Sequence, residues 1–125
     1  MGDYRQLAVW KRAYALTAEI YRSTRPFPDS ERYGLTSQMR RAATSILSNI
    51  AEGSGRQSDR EQVRFLRIAR GSTCELECQL LLSHDVGYLK PGYWLILDSD
   101  CREVGRMLTG LIKSFQSGQR LATSD

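Results

Sequence analysis

The sequence contains a single histidine, His84, and this scarcity limits the chemistry that the chain can perform. Hydrolases that use a serine nucleophile need a neighbouring base, which is most often histidine. Ser45, Ser48 and Ser72 have no second histidine and no evident lysine to serve them. We therefore expect a protein that is not an enzyme and that carries no cofactor.

Long apolar segments are missing as well. No apolar run approaches the roughly 18 residues of a membrane span, and the polar stretch from Met1 to Leu7 does not resemble a secretory signal. We expect a cytoplasmic protein with no membrane association. The three cysteines are odd in number and lie in apolar-periodic segments, so we expect reduced thiols in the core rather than a disulfide framework.

The alternation of apolar and polar residues that is typical of β-strands is also absent. Apolar residues instead recur every three or four positions in four segments, which predicts an all-α fold. A chain of 125 residues has the size of one domain. We predict one antiparallel, up-and-down four-helix bundle over residues 1–117, followed by a disordered tail at 118–125, which lacks apolar content.

The first two predicted helices are separated by the two prolines in residues 25–29, because proline disfavours helical geometry. The first helix runs from about Leu7 to Thr24, and the second runs from a cap at Ser30 to about Glu52. The apolar face of the second helix is wider than one neighbour can cover, so we expect two partners for it, one of them in another subunit. Asn49 lies on this face, where we expect its amide to be hydrogen-bonded and to set the register.

The third and fourth predicted helices have clear start signals. Ser58 and Glu61 have the spacing of a capping box, and the third helix should continue to about Asp85, where Gly87 ends it. Pro91 suits the first turn of the fourth helix. A heptad pattern typical of left-handed bundles then follows at Trp94, Leu97, Cys101, Val104, Leu108, Leu111 and Phe115.

The net charge of +4 is concentrated in residues 30–70, which contain eight arginines and four acidic residues. Five of these arginines recur at spacings of four, four, three and three. At about 100° per residue they fall within an arc of roughly 120°, opposite the apolar face of the third helix. We call them the arginine ridge: Arg56, Arg60, Arg64, Arg67 and Arg70.

The arginine ridge has two interpretations. A solvated helix face is the more common origin of such a pattern. However, five like charges repel one another unless an anion neutralises them, and arginine suits bidentate contacts with phosphate. We therefore hypothesise that the ridge, with Arg40 and Arg41 of the second helix, binds RNA. The alternative is an interaction scaffold whose ridge meets an acidic protein, for example a reverse transcriptase or a ribosomal component.

Two further motifs are weaker. Gly53-Ser54-Gly55 precedes a helix but lacks the Gly-Lys-Ser/Thr ending and the strand of a nucleotide-binding loop, so we interpret it as a turn between helices. Cys74 and Cys78 share a helix face with His84 further on, but a closed zinc site needs a fourth ligand and a nearer histidine. We expect these cysteines to pack in the core and to bind no metal.

Short motifs that extend over nearly the whole chain are typical of one protein family. They include Leu7-Ala8-Val9-Trp10-Lys11, Phe27-Pro28, Glu31-Arg32-Tyr33-Gly34-Leu35-Thr36-Ser37-Gln38, Arg40-Arg41-Ala42, Ser48-Asn49-Ile50-Ala51-Glu52-Gly53, Phe65-Leu66-Arg67-Ile68-Ala69-Arg70-Gly71-Ser72, Glu75-Leu76 and Gly105-Arg106-Met107-Leu108. With these motifs the chain resembles the four-helix bundle family named for proteins encoded in intervening sequences of bacterial 23S ribosomal RNA genes.

This resemblance implies a bundle that assembles into a ring, with a homopentamer expected. It also implies a relation to the accessory proteins of diversity-generating retroelements, which resemble this fold and bind nucleic acid and a reverse transcriptase. The family offers no catalytic residues to transfer to this chain. Together with the charge pattern, it leads us to expect a non-enzymatic homo-oligomer that binds RNA.

Overall fold

A computed structural model of the chain describes the backbone of residues 2–124 and the side chains of residues 2–117. Within this range all regular elements are helical and no strand is present, which confirms the predicted all-α class. The predicted division into a domain at 1–117 and a disordered tail at 118–125 stays a prediction, because the side chains of residues 118–125 lie outside the described range. The α-helices are α1 (Ala8–Thr24), α2 (Leu35–Ser54), α3 (Asp59–Asp85) and α4 (Pro91–Ser124), and single 3-10 turns lie at Tyr4–Gln6 and Asp29–Glu31.

The helix α2 begins at Leu35, five residues after the predicted start at Ser30, so that prediction was wrong. Pro28 is followed by a single 3-10 turn, and Gly34 then occupies the position before the helix. The side chain that caps α2 belongs to Glu31, whose Oε1 accepts a hydrogen bond from the Leu35 backbone nitrogen at 3.2 Å. The helix therefore gains an acidic group at its positive end, where it is stabilising.

Both ends of α3 and the start of α4 agree with the sequence signals. Ser58 Oγ accepts a hydrogen bond from the Glu61 backbone nitrogen at 3.1 Å, as expected for the N-cap of α3. The helix ends at Asp85, and Gly87 follows with a φ of +86°, a conformation that favours glycine. Pro91 is the first residue of α4, where its missing N–H has no partner to lose.

One apolar core lies between the four helices, and each helix contacts two others. The centre of the α4 heptad pattern is buried as predicted, whereas Trp94, Leu111 and Phe115 at its ends are half-buried. The helix α2 packs against both α1 and α3 of its own chain, so both partners of its wide apolar face lie in one chain rather than one of them in another subunit, as was expected. The large side chains at the centre are Leu16, Ile20, Met39, Ile46, Ile50, Leu66, Leu76, Leu80, Leu97 and Leu108.

Asn49 is hydrogen-bonded as predicted, but its partner lies in the same helix. Its Nδ2 donates to the backbone oxygen of Ser45 at 2.8 Å and to Ser45 Oγ at 3.1 Å. Ser45 Oγ lies in turn 2.9 Å from Ser72 Oγ of α3. The amide thus orients a serine, and the serine pair adds a polar contact to the packing between the two helices.

None of the described helices combines the length with the apolarity that crossing a membrane requires.

Candidate nucleic-acid interface

Three arginines of the ridge project together from the outer side of α3. Arg60, Arg64 and Arg67 are exposed, and they line one open depression together with Ser58 and with Gln116 of α4. Their spacing of four and three residues places them on successive turns of the helix. The structure therefore brings together the central part of the predicted ridge.

Two contacts hold Arg64 at the edge of this depression. Its Nη1 lies 3.5 Å from Glu61 Oε2, and its guanidinium carbon lies 5.3 Å from the centre of the Phe65 ring. An exposed ion pair contributes less than about 1 kcal/mol, because water and salt screen it. An incoming anion can therefore replace Glu61 as the partner of Arg64 at small energetic cost.

Arg56 precedes the start of α3 and so does not follow the helical spacing of the other arginines. Its Nη2 donates to Glu52 Oε2 at 3.2 Å, and its guanidinium carbon lies 4.8 Å from the Phe65 ring centre. It borders a different depression, with Ser48, Glu52 and Gly55. The guanidinium groups of Arg56 and Arg64 contact the same Phe65 ring, and the inclusion of Arg56 among the RNA-binding residues stays a prediction.

At its other end the ridge turns inward, because Arg70 lies half-buried between α3 and α4. Its Nε donates to Thr109 Oγ1 at 3.0 Å, and its Nη1 donates to Thr73 Oγ1 at 2.9 Å and to Cys74 Sγ at 3.1 Å. Gly105 leaves room for this guanidinium, since a Cβ there would lie 3.2 Å from Nη1. Arg70 therefore connects α3 with α4 and does not project outward with Arg60, Arg64 and Arg67. Its inclusion among the RNA-binding residues stays a prediction.

The two candidate arginines of α2 lie apart from the depression on α3. Arg40 Nε donates to Thr24 Oγ1 at 3.0 Å and its Nη2 donates to the Tyr21 backbone oxygen at 3.3 Å. Its guanidinium also stacks on the Tyr21 ring, with 4.8 Å from Cζ to the ring centre. Arg40 thus connects α2 with the carboxyl end of α1. Arg41 is exposed, and no described contact joins it to the arginines of α3.

A row of polar and cationic residues on α4 was not predicted from the sequence. Arg106 and Lys113 are exposed, Thr109 bonds to Arg70, and Gln116 lines the depression on α3. The signal was present, because these positions recur at three- and four-residue spacing on the side of α4 that adjoins α3. The row consists of Arg102, Arg106, Thr109, Lys113 and Gln116.

The cysteines offer no closed metal site. Cys74 and Cys78 are exposed on α3, so the prediction that they pack in the core was wrong. They lie on the outer side of the helix, whereas Leu76 and Leu80 face the core. Cys101 is buried as predicted, and burial raises the pKa of its thiol to about 12. Among the described residues, no three His, Cys, Asp or Glu side chains form a group suited to a metal ion.

Fold and surface together define a small all-α protein that presents cationic side chains on α3 and α4. The chain belongs to the family of 23S rRNA-intervening sequence proteins, whose family profile matches residues 5–110. This match confirms the family that the sequence motifs resemble. No curated protein matches the chain.

A solved structure from Bacteroides thetaiotaomicron is similar to this chain. It is a protein of unknown function from the S23 ribosomal protein family, with 24% sequence identity and a TM-score of 0.77. The alignment covers 85% of this chain and 99% of that protein. At this identity the likeness shows the shared fold.

Proposed function

We propose that this chain is a non-enzymatic, cytoplasmic, homo-oligomeric helical bundle that binds RNA through the phosphate backbone. The observation that carries the proposal is the outward projection of Arg60, Arg64 and Arg67 around one depression on α3. Guanidinium groups make bidentate contacts with phosphate, and such contacts give affinity with little reading of sequence. Binding of this kind weakens steeply as salt rises, because the protein displaces counterions from the nucleic acid.

The order of contacts along the chain supports an antiparallel, up-and-down arrangement of the four helices. Between α2 and α3, Met39 contacts Ser83 and Ser45 contacts Ser72, so partner numbers fall on one helix as they rise on the other. The short connections between consecutive helices suit the same arrangement. In the same arrangement the first half of α3 lies beside the second half of α4, and the bond from Arg70 to Thr109 supports this.

Exposed aliphatic side chains support assembly of several copies. We propose a ring-like homo-oligomer, with five subunits as the family resemblance implies. One end of the α3–α4 pair carries a group of aliphatic residues that no described part of the chain covers, and burying them between copies is favourable at about 25 cal/mol per Å². This aliphatic end consists of Leu81, Leu82, Val86, Leu95 and Ile96, each between 48% and 59% exposed.

The double substitution Arg60→Glu with Arg64→Glu tests RNA binding. It reverses two exposed charges in the depression, so we expect binding of a mixed-sequence RNA at low salt to disappear while helicity is retained. Fluorescence anisotropy measures the first quantity and circular dichroism measures the second. The control is Lys11→Glu with Arg25→Glu, which changes the net charge by the same amount. Lys11 lies on α1 and Arg25 lies just after it, and both are exposed, so this variant should retain most of the binding.

Three results decide the proposal. Binding by the wild-type protein that falls steeply with salt, and is lost only in the α3 variant, supports it. Absent or salt-insensitive RNA binding by the intact oligomer overturns it. Capture of an acidic protein that survives nuclease treatment, together with absent RNA binding, favours the interaction scaffold instead.

A further inference from the structure

The outward groove between α3 and α4 has cationic side chains on both sides. One row lies on α3, with Arg60, Arg64 and Arg67, and Lys113 lies on the adjoining side of α4. Arg106, two turns before Lys113 on α4, is also exposed and borders a neighbouring depression with Arg70 and Glu77. We infer that α4 supplies the second half of the RNA surface and that the groove binds the backbone of base-paired RNA. This inference rests on the proposed RNA binding and specifies its surface and its substrate class.

Two contacts on either side of Lys113 locate it at the groove. Thr109, one helical turn before it, bonds to Arg70 of α3 at 3.0 Å. Gln116, three residues after it, lines the depression that contains the α3 arginines. Lys113 is exposed and lies on the same side of α4 as both of these residues. Its ammonium group therefore adds to the cationic charge that Arg60, Arg64 and Arg67 place there.

The α3 row and Lys113 are level along the helix pair. Arg70 bonds to Thr109 at 3.0 Å, so Lys113, four residues and about 6 Å further along α4, lies beside the turn of α3 that carries Arg64 and Arg67. Arg106, three residues before Thr109, lies beyond Arg67 and extends the cationic surface at one end. Cations from two helices make this surface wider than a single row, so it can contact several phosphates.

Few acidic groups oppose these cations. Glu61 pairs with Arg64 at 3.5 Å, and Glu103 pairs with Arg106 at 2.6 Å, and both arginine side chains are 65% exposed. Such exposed pairs are weak and yield to a phosphate. Arg102 is different, because Asp98 and Glu77 hold its guanidinium at 2.9 and 3.4 Å. We therefore exclude it from the RNA surface.

The side chains around the groove favour a base-paired partner. Proteins that bind single strands stack the bases on exposed aromatic rings. Within the described residues, the most exposed aromatic side chains are elsewhere, with Tyr14 and Tyr21 on α1 and Tyr33 just before α2. Phe65 is half-buried beneath two guanidinium groups. Cationic side chains and an amide side chain suit contacts with the continuous sugar-phosphate backbone of a duplex. The amide of Gln116 can hydrogen-bond to ribose 2′-hydroxyl groups.

Substitution of Lys113 tests the contribution of α4. With a short RNA duplex as the probe, we expect Lys113→Glu to weaken binding by about tenfold at low salt. We expect Lys113→Gln to lower the slope of log affinity against log salt by about 1, because one phosphate contact is lost. Lys11→Glu makes the same charge change on an exposed position of α1 and should leave the slope unchanged.

The same assay compares probes. We expect the wild-type protein to bind the RNA duplex more tightly than an unpaired RNA strand of equal length, and more tightly than a DNA duplex of the same sequence. Equal or tighter binding of the unpaired strand overturns the base-paired class, and equal binding of the DNA duplex overturns the role of the 2′-hydroxyl group. Wild-type affinity and slope in the Lys113 variants overturn the role of α4. Failure of the wild-type protein to bind any of the probes contradicts the proposed function itself.

Discussion

Arg70 and Gly105 show how one residue determines the position of another. The guanidinium of Arg70 fits against the backbone of α4 only because Gly105 has no side chain there. The helical period predicted the direction in which Arg70 leaves the axis of α3. It could not predict that α4 leaves room for the guanidinium there, because Gly105, which makes that room, is 35 positions away in the chain.

Substitution of Gly105 by alanine should destabilise the protein. The new Cβ would lie 3.2 Å from Arg70 Nη1 and 3.3 Å from Thr73 Oγ1, so the guanidinium must move and its hydrogen bonds weaken. Hydrogen bonds to charged groups contribute roughly 1.5 to 3 kcal/mol, and alanine recovers about 1 kcal/mol of helix propensity. We expect a net loss of about 1 kcal/mol in the free energy of unfolding, measured by urea denaturation.

Gly110→Ala is the matched control for this substitution. Gly110 lies on the same helix, and a Cβ there would meet nothing within 4 Å. Alanine should stabilise the helix by up to about 1 kcal/mol at this position. If both variants are stabilised alike, the Arg70 contact contributes nothing to the joining of α3 and α4.

Among the elements, α1 and α4 are joined by a hydrogen bond that depends on pH. Tyr93 Oη donates to Glu19 Oε2 at 2.6 Å. The hydrogen bond from Tyr93, and to a smaller extent the one from Arg22, lowers the pKa of the Glu19 carboxyl. The bond to Glu19 also raises the pKa of the Tyr93 hydroxyl. Both shifts mean that the folded protein favours a charged Glu19 beside a neutral Tyr93.

The substitution Tyr93→Phe should flatten the dependence of stability on pH. Because its pKa is lowered in the folded protein, Glu19 stabilises the fold at pH values above its ordinary pKa of 4.5. This stabilisation is lost as the pH falls through the pKa of Glu19 in the folded protein. A raised tyrosine pKa stabilises the fold below the ordinary value of 10.0, and this contribution is lost as pH rises through the folded value. The variant should lose the alkaline effect and part of the acidic one, as measured by urea midpoints across pH. Superimposable pH profiles for both proteins would show that the bond is absent in solution.

The limits of the helices were predictable where a local signal sets them. Ser58, Gly87 and Pro91 act through their own backbone or through the next turn, and all three were interpreted correctly. The start of α2 was interpreted incorrectly. Ser30 resembles a cap in the sequence, but the carboxylate of Glu31 caps the helix by accepting a hydrogen bond from the backbone nitrogen of Leu35, four residues later. Only the 3-10 turn after Pro28 brings Glu31 into position.

For the whole molecule, the sequence predicted the number of helices and their apolar sides, since both follow from the helical period. The candidate RNA surface was predicted in part. Arg60, Arg64 and Arg67 share one helix and were found by spacing, whereas Lys113 joins them only when α4 packs beside α3. A surface built from two helices has no single period in the sequence. The part that α4 contributes therefore cannot be predicted until the packing of α4 beside α3 is known.

The aliphatic end leads to a prediction about assembly. Substitution of Leu95 and Ile96, each 59% exposed, by glutamate should separate the copies, because burial of these charges between subunits is unfavourable. Light scattering should give a multiple of 14.2 kDa for the wild-type protein and the mass of one chain for the variant. Tyr33→Glu alters a side chain that is 86% exposed elsewhere and should leave the mass unchanged. A wild-type mass of one chain would contradict the proposed ring.

The exposure of Cys74 and Cys78 gives every copy a native attachment point for a spectroscopic probe. With Cys101 buried and its thiol pKa raised to about 12, a thiol-reactive spin label will attach to the outer side of α3. Replacing one of the two exposed cysteines by serine leaves one label per chain. In a closed ring, the distances between labels then take a few discrete values whose ratios depend on the number of copies, so the circumference of the assembly can be measured without a crystal.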